Sequence, residues 1–591
     1  MKSVFLAILF FCLILAIPAF AEPWVTVEPS QETGALEIQV DFDGNGVYDP
    51  YFIRGVGYSP VPIGRSGYQW GTTNIFNDER ILRRDFQLLK DMHANTIRIW
   101  KADNTNNAQN EFPNFITART LDLAEEYGLK VVPGFWLEFN GYWQCGLNGR
   151  EFVWDGSFFD LTNKNIWPHI RTNILARWEL FLREFKDHPA ILFWVIGNEN
   201  NYHLGKDAIL AERFYSLVNE MAQMAHAIDP NHLVAFVNGD IFVPVDIVDQ
   251  ETGQTVEVNY FSHLMNDVAS NVDILGLNVY RGETFGSLFQ DIRAMGIDKP
   301  VWISEYGIDA WYGDRYDDEG GYEDQQTQAV WAGQLWDEIV EARALGAVGG
   351  TVMSYVDEWW KPYAWLCENA GWRQWWQPYW LLMSGSNCGV FNNTHDLYGY
   401  GPTDDNCDGT IDEQNDWFPP TQDHFFNEEW WGLMGARRNL STGEPDVMTP
   451  RYAYTLLQQK FEELVAGNHF PVFDEIEDRV IAVERPLVLE LRAQDPDGDD
   501  VLISARLANG EALSTIGAQI SDRGNGTAEF SWTPAPGLLG QVVGIVFSAT
   551  DTHGGLTEMP VIFSVTLVPP NVTAVSPGTA VYGDLIALQG G

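Results

Sequence analysis

Two glutamates stand at the ends of apolar runs, and that placement is the strongest chemical signal in the chain. Phe193-Trp-Val-Ile-Gly-Asn-Glu199 closes on Asn198 and Glu199, and Val301-Trp-Ile-Ser-Glu305-Tyr306-Gly307 carries Glu305. Each run has the length and composition of a fully buried strand. A charged side chain at the tip of such a run needs a partner or a task, because burying an unpaired charge is costly. One reading is structural: a carboxylate that caps the next helix or pairs with an arginine. The other is paired-carboxylate catalysis. Glycosidic bonds break through an oxocarbenium-like transition state, so one carboxyl must protonate the leaving oxygen and a second must attack the anomeric carbon.

The elements that would position these residues repeat along the chain. Short apolar runs occur at 51–58, 95–100, 129–137, 190–197, 233–238, 273–280, 300–306 and 347–355. Helical spacing separates most of them: over 78–93 the apolar positions are Ile81, Leu82, Phe86, Leu88, Leu89 and Met92. Strands alternating with helices predict a parallel sheet, and eight such units predict a closed (β/α)8 TIM barrel, an α/β fold, over residues 51–466. Glu199 then ends the fourth strand and Glu305 the seventh, on the face where such barrels keep their active sites. Two long Trp-rich segments, 138–168 and 357–432, follow the third and eighth strands and fall on that same face.

The two motifs together resemble the clan A glycoside hydrolases, whose acid/base glutamate follows an asparagine at the end of strand four and whose nucleophile ends strand seven. The nearest variants are the family 2 catalytic barrel and the fungal β-1,3-glucanosyltransferases, and the resemblance covers about residues 50–465. It implies that Glu199 acts as general acid and then base, and that Glu305 is the nucleophile. It also implies that Asn198 binds the sugar 2-hydroxyl, Arg98 orients Glu305, Tyr280 hydrogen-bonds the nucleophile, and Trp359 or Trp360 forms the sugar platform. Trp136 joins these as a candidate stacking residue. The alternative for Arg98 is a plain salt bridge and for Tyr280 a core tyrosine. Many clan members carry a histidine near strand three or four; Gly134-Phe-Trp-Leu-Glu-Phe-Asn140 has none, so nothing is carried over there.

The flanking segments bound the setting. Lys2, the apolar run 4–17 and Ala19-Phe20-Ala21 form a signal-peptide pattern, so residues 1–21 are expected to be cleaved and the protein secreted or held at the cell surface. A small β-element is expected over 22–50, where Ala35 to Val40 alternates. Beyond residue 466 only Trp532 remains among the 24 tryptophans, and alternating runs separated by turns predict a β-sandwich over 467–568. That region resembles the immunoglobulin- or cadherin-like repeats of bacterial surface proteins, which implies a role in surface attachment. Residues 569–591 read as the start of a further β module or a tail.

A net charge of −47 argues against nucleic acid or an anionic membrane as partner, since both call for basic patches. No run beyond the leader is long and apolar enough for membrane insertion. Cys145, Cys367, Cys388 and Cys407 remain after the leader, an even number suited to two disulfides of unspecified pairing. Two loops share calcium-loop spacing: Asp41, Asp43, Asn45 and Asp49, and Asp404, Asn406, Asp408 and Asp412. Alternate oxygens could converge there on a structural Ca²⁺; a metal-free Asx turn is the other reading. The second loop resembles the Asn-Cys-Asp-Gly repeats of bacterial surface proteins.

The expected function is a retaining β-glycoside hydrolase acting on a β-linked polysaccharide or oligosaccharide, a β-glucan or β-mannan, with no catalytic cofactor. A β-glucan transglycosylase with the same residues is an alternative. A non-catalytic carbohydrate-binding or adhesive surface protein is another.

Overall fold

The computed structural model describes residues 23–567, without 64–73, 104–114, 138–140, 155–166, 314–320, 359–418 and several stretches of one to four residues; within 141–154 it describes the backbone alone. Eight parallel strands close a barrel: β1 (Ile53–Gly57), β2 (Thr96–Ile99), β3 (Lys130–Phe135), β4 (Phe193–Ile196), β5 (Leu233–Gly239), β6 (Ile274–Asn278), β7 (Val301–Tyr306) and β8 (Ala347–Val352). Each pairs with its sequence neighbour, and β8 pairs with β1. The eight expected runs are these eight strands. Nearly every residue in them is buried, which is why they read as continuous apolar runs rather than alternating ones.

Helices α1 (Glu79–Asp91), α2 (Ala118–Glu126), α3 (Trp167–Phe185), α4 (Ala208–Ile228), α5 (Leu288–Ala294), α6 (Gln325–Glu341) and α7 (Tyr452–Ala466) complete the alternation. Their starts follow capping chemistry. Asp78 accepts from the Arg80 N–H, Asp207 from Ile209 and Leu210, and Asp324 from Thr327; such a cap is worth about 1 kcal/mol. α1 buries Ile81, Leu82, Phe86 and Leu89 on the face that packs inward. The link from β5 to β6 carries an antiparallel hairpin, Pro244–Val248 with Thr255–Asn259, and an irregular helical stretch from Phe261 to Val268. A second hairpin, Gly141–Gly146 with Gly149–Trp154, stands in the long segment after β3.

The N-terminal element is antiparallel, Val25–Pro29 against Leu36–Val40. Val25, Ile38 and Val40 join one core with Ile53, Leu192, Phe193, Ile274, Trp302 and Val348, the early residues of barrel strands and their approaches. The element therefore seals the end of the barrel opposite the strand tips that hold Glu199 and Glu305. Full burial of Ile38 alone is worth roughly 1.5–3 kcal/mol.

The chain divides into two compact units, residues 1–457 and 458–591, and the division falls inside α7. The second unit holds two four-stranded sheets. One orders Val472–Phe473, Leu487–Gln494, Thr527–Trp532 and Gln519–Gly524; the other orders Arg479–Ala482, Leu556–Thr566, Val542–Thr550 and Leu502–Leu507. Leu489, Leu491, Phe530, Trp532, Phe547 and Phe563 share a core between them. Leu487–Gln494 shows buried and exposed positions in alternation, as a strand with one face on that core must.

Candidate active site

Arg98, at the tip of β2, organises the catalytic end of the barrel. Its side chain is almost fully buried, and one nitrogen, Nη1, donates to Glu305 Oε1 at 2.7 Å, to the Ser304 carbonyl at 2.8 Å and to Asn278 Oδ1 at 3.2 Å. Nη2 donates to Asn198 Oδ1 at 2.6 Å. Trp100 and Trp302 place their rings 5.0 and 5.5 Å from the guanidinium, so the cation's faces are covered by π-systems rather than water. A buried ion pair of this kind adds little to stability against an apolar replacement, but removing one partner strands a charge at a cost of about 3–5 kcal/mol.

Glu305 receives three donors. Arg98 Nη1 and Trp100 Nε1, the latter at 2.6 Å, converge on Oε1, and the Tyr280 hydroxyl donates to Oε2 at 2.8 Å. Three donors fix both oxygens in place and suit an anionic carboxylate. Trp100 reaches this position because β1 leaves room for it: a Cβ on Gly57 would stand 2.4 Å from the indole. Tyr280 is partly buried, and its phenol is pushed well above the ordinary tyrosine value, first by desolvation and then by the charges of Glu305 and Glu199. The phenol therefore stays protonated and remains a donor. One hydroxyl feeling both carboxylates also places the two glutamates at the same end of the barrel.

The asparagine network is self-consistent. Asn198 Oδ1 accepts from Arg98 and, at 3.1 Å, from Asn278 Nδ2. Asn278 Oδ1 accepts from Ser304 Oγ at 2.7 Å. With two donors on its carbonyl oxygen, Asn198 must turn its amide NH₂ the other way, ready to donate.

Glu199 is held differently. Gly197, just past β4, has φ +63°, and Glu199 itself adopts φ +51°, a left-handed conformation that costs a side-chain-bearing residue about 1–2 kcal/mol. Its N–H donates to the Val237 carbonyl at 3.1 Å. The residues after it anchor the turn on both sides. Asn200 Nδ2 donates to the Leu137 carbonyl at 3.1 Å, beyond β3, and Asn200 Oδ1 accepts from the Asn198 N–H. Asn201 exchanges two bonds of 2.8 Å with the Gly239 backbone at the end of β5. A strained backbone held by four side-chain bonds suggests a position set by function.

Residues 74–361 match the description "Glycosyl hydrolases family 2, TIM barrel domain". The barrel is thus similar to the family 2 glycoside hydrolase barrel over these residues. Among curated relatives, this chain is similar to a β-galactosidase of Alteromonas mediterranea, 26% identical over 136 residues, 23% of this chain and 10% of that one. It is also similar to a β-galactosidase of Bifidobacterium adolescentis, 25% identical over 156 residues, 25% of this chain and 12% of that one. Among solved structures, a Bacteroides uniformis β-glucuronidase is similar at a TM-score of 0.47 and 13% identity, over 92% of this chain and 50% of that one. The chain thus spans about half the length of that structure, and its matched segments span about a tenth of the two β-galactosidases.

Within the glycoside hydrolase barrel, Arg98, Asn198, Tyr280 and Glu305 form one hydrogen-bonded cluster, and Glu199 stands next to it in sequence at the tip of β4. Trp136 is partly buried just beyond β3. Trp359 and Trp360 lie outside the described residues. Trp431 is described, and it stacks edge-on against Tyr280 at 5.1 Å between ring centres. It is pinned by a buried latch in which Arg451 grips Asp357 with bonds of 2.6 and 2.9 Å while the Gly432 N–H donates to the same carboxylate at 3.1 Å.

Of the candidate calcium residues in the first loop, Asp41 accepts the Asn45 and Gly46 N–H groups at 3.0 and 2.9 Å, and Asn45 accepts from Val47. That is the pattern of Asx-type turns, in which side-chain oxygens bond nearby backbone N–H groups. Asp49 is exposed in a two-residue strand. Asp43 and the whole second loop, with Asp404, Asn406, Asp408 and Asp412, lie outside the described residues, as do the side chains of the four cysteines.

Reasoning from sequence missed Trp100, Ser304, Asn278, Asn200, Asn201 and Trp431. A signal existed for two of them. Trp100 is two residues past Arg98 and Asn278 two before Tyr280, and alternate residues of a strand share a face.

Proposed function

We propose that this chain is a retaining β-glycoside hydrolase, with Glu305 as nucleophile and Glu199 as acid/base. The observation that carries the reading is the Arg98 bridge: one buried guanidinium bonds both Glu305 and Asn198, the neighbour of Glu199. In the first step a Glu305 oxygen attacks the anomeric carbon, the glycosidic bond breaks, and the Glu199 proton passes to the departing oxygen. In the second step Glu199, now a carboxylate, takes a proton from water; the oxygen bonds to the anomeric carbon and Glu305 is released. The Asn198 amide is oriented to donate to the sugar hydroxyl beside the anomeric carbon, a contact that strengthens in the transition state.

The substrate is a β-linked oligosaccharide or polysaccharide. The names of the two curated relatives favour β-galactosides over the β-glucans and β-mannans expected from the sequence. Asp41, Asp43, Asn45 and Asp49 with a structural Ca²⁺, export through residues 1–21, and surface attachment through the sandwich belong to the same proposal.

A panel of β-glycosyl fluorides, with proton NMR of the first-formed product, tests it. Turnover with retention at the anomeric carbon is expected from wild type and none from Glu305→Gln. An α product, or equal turnover by both proteins, would sink the reading.

A further inference from the structure

Next to Glu199 the barrel rim carries side chains that the catalytic cluster does not use. Tyr202 lies in the same short turn, its N–H donating to the Glu199 carbonyl at 3.1 Å. Its ring rests on β5, where a Cβ on Gly239 would come within 2.1 Å of it. Half of the residue is nonetheless exposed, at 49%, and Phe242 is exposed to the same degree. Asn201, which clamps the turn to Gly239, also donates to the Phe242 carbonyl at 3.4 Å. The backbone segments that carry both open rings are thus joined through one asparagine beside the acid/base. Exposed aromatic area of this size at an active-site rim is unfavourable in water and suits the C–H face of a sugar.

A polar pair stands beside the rings. Asp240 ends β5 in a left-handed conformation, φ +53°, and Arg281 follows β6. Arg281 Nε and Nη2 grip the two Asp240 oxygens at 2.8 and 2.6 Å, and Nη1 donates to the Phe285 carbonyl at 3.2 Å. These contacts use three of the five guanidinium N–H groups, and the pair is part-exposed, at 30% and 24%. What it offers to solvent is an edge of N–H donors and carboxylate acceptors side by side, with the two charges cancelled. That edge matches vicinal hydroxyls, each of which donates and accepts, better than it matches a carboxylate.

Direction follows from the chemistry. Glu305 attacks one face of the anomeric carbon, so the leaving oxygen departs from the opposite face, toward Glu199. Whatever is attached to that oxygen must lie past Glu199. Tyr202, Phe242, Asp240 and Arg281 come from the tips of β4, β5 and β6, whereas Arg98, Trp100 and Trp431 come from β2 and the segments near β8. We propose that Tyr202, Phe242 and the Asp240–Arg281 pair form a leaving-group subsite for a neutral β-linked sugar residue. The proposal rests on the glycosidase reading above.

The experiment compares two substrates with the same glycone: the β-glycosyl fluoride, whose leaving group has no ring, and the β-linked disaccharide. Phe242→Ala and Arg281→Lys are assayed beside wild type, with thermal melts to confirm folding. For each variant, kcat/KM on the disaccharide is expected to fall about tenfold or more, and on the fluoride by less than about threefold. Equal losses on both substrates, or no loss on the disaccharide, would overturn the subsite while leaving the glycosidase reading intact. No turnover of any fluoride by wild type would remove that reading and the subsite with it.

Discussion

The surroundings of the two glutamates differ in kind. Glu305 is buried, lies near the end of β7, and is gripped by the side chains of Arg98, Trp100 and Tyr280. Glu199 is partly exposed and sits on a left-handed backbone, in a turn that Asn200 and Asn201 clamp to the neighbouring strands. The contrast fits two tasks. A nucleophile must stay charged and aimed, so donors on its oxygens help it. An acid/base must meet the leaving oxygen in each cycle, so a clamped turn that fixes its position helps it. Three side-chain donors grip one carboxylate, and a clamped, strained turn places the other.

The largest test of that contrast is at the carboxylates. Glu305→Gln is expected to lower kcat by on the order of 10⁴-fold or more on every substrate, because no other group replaces the attacking oxygen. Glu199→Gln is expected to cost on the order of 10²–10⁴-fold in kcat/KM on a disaccharide, and much less in kcat/KM on a glycosyl fluoride, whose leaving group needs less protonation in the first step. A loss independent of leaving group would mean that the roles are wrongly divided.

Arg98→Met sharpens the electrostatic side. It strands the Glu305 charge in the interior, so denaturant unfolding is expected to show about 3–5 kcal/mol of destabilisation; a change below about 1 kcal/mol would mean that Glu305 is not held as a buried charge. Asn200→Ala probes the backbone side. It leaves the Asn198 N–H and the Leu137 carbonyl without that partner, a cost of about 1–3 kcal/mol. Its activity loss should fall on kcat rather than KM, since the side chain aims the acid/base turn.

The smallest effect concerns pH. Asp309, four residues beyond Glu305, is buried, and its carboxyl is raised well above the usual range by desolvation and then by Asp423. Between its unfolded value, near 4, and that raised value, the folded state binds more protons than the unfolded one, so stability falls as pH rises. Asp309→Asn is expected to flatten this slope in denaturant titrations across the window. An unchanged slope would assign the pH dependence to other groups.

The sequence revealed strands more clearly than partners. All eight barrel strands were legible, because burial on both faces leaves an apolar signature that water cannot blur. Arg98, Asn198, Tyr280 and Glu305 were legible because a strand tip makes a polar residue conspicuous. Ser304 was hidden inside an apolar run, and Asn278 looked like an ordinary strand end. Trp431 lay 79 residues beyond β8, among many tryptophans, and tertiary contacts such as the Arg451–Asp357 latch and the Ser354 N–H bond to its carbonyl bring it to Tyr280. Asn200 and Asn201 looked like a polar loop because their bonds go to backbone carbonyls and an N–H, groups that every residue has and no sequence pattern marks.

The seal at the foot of the barrel sets an order of events. The Val25 N–H bonds the Asn231 carbonyl, and the Trp24 ring meets His232 edge-on at 5.4 Å. The Val25–Pro29 strand therefore waits for some 200 further residues before it can dock there, roughly 10–40 s at ordinary rates of synthesis. Until then Val25 and Ile38 lack the barrel residues that later bury them.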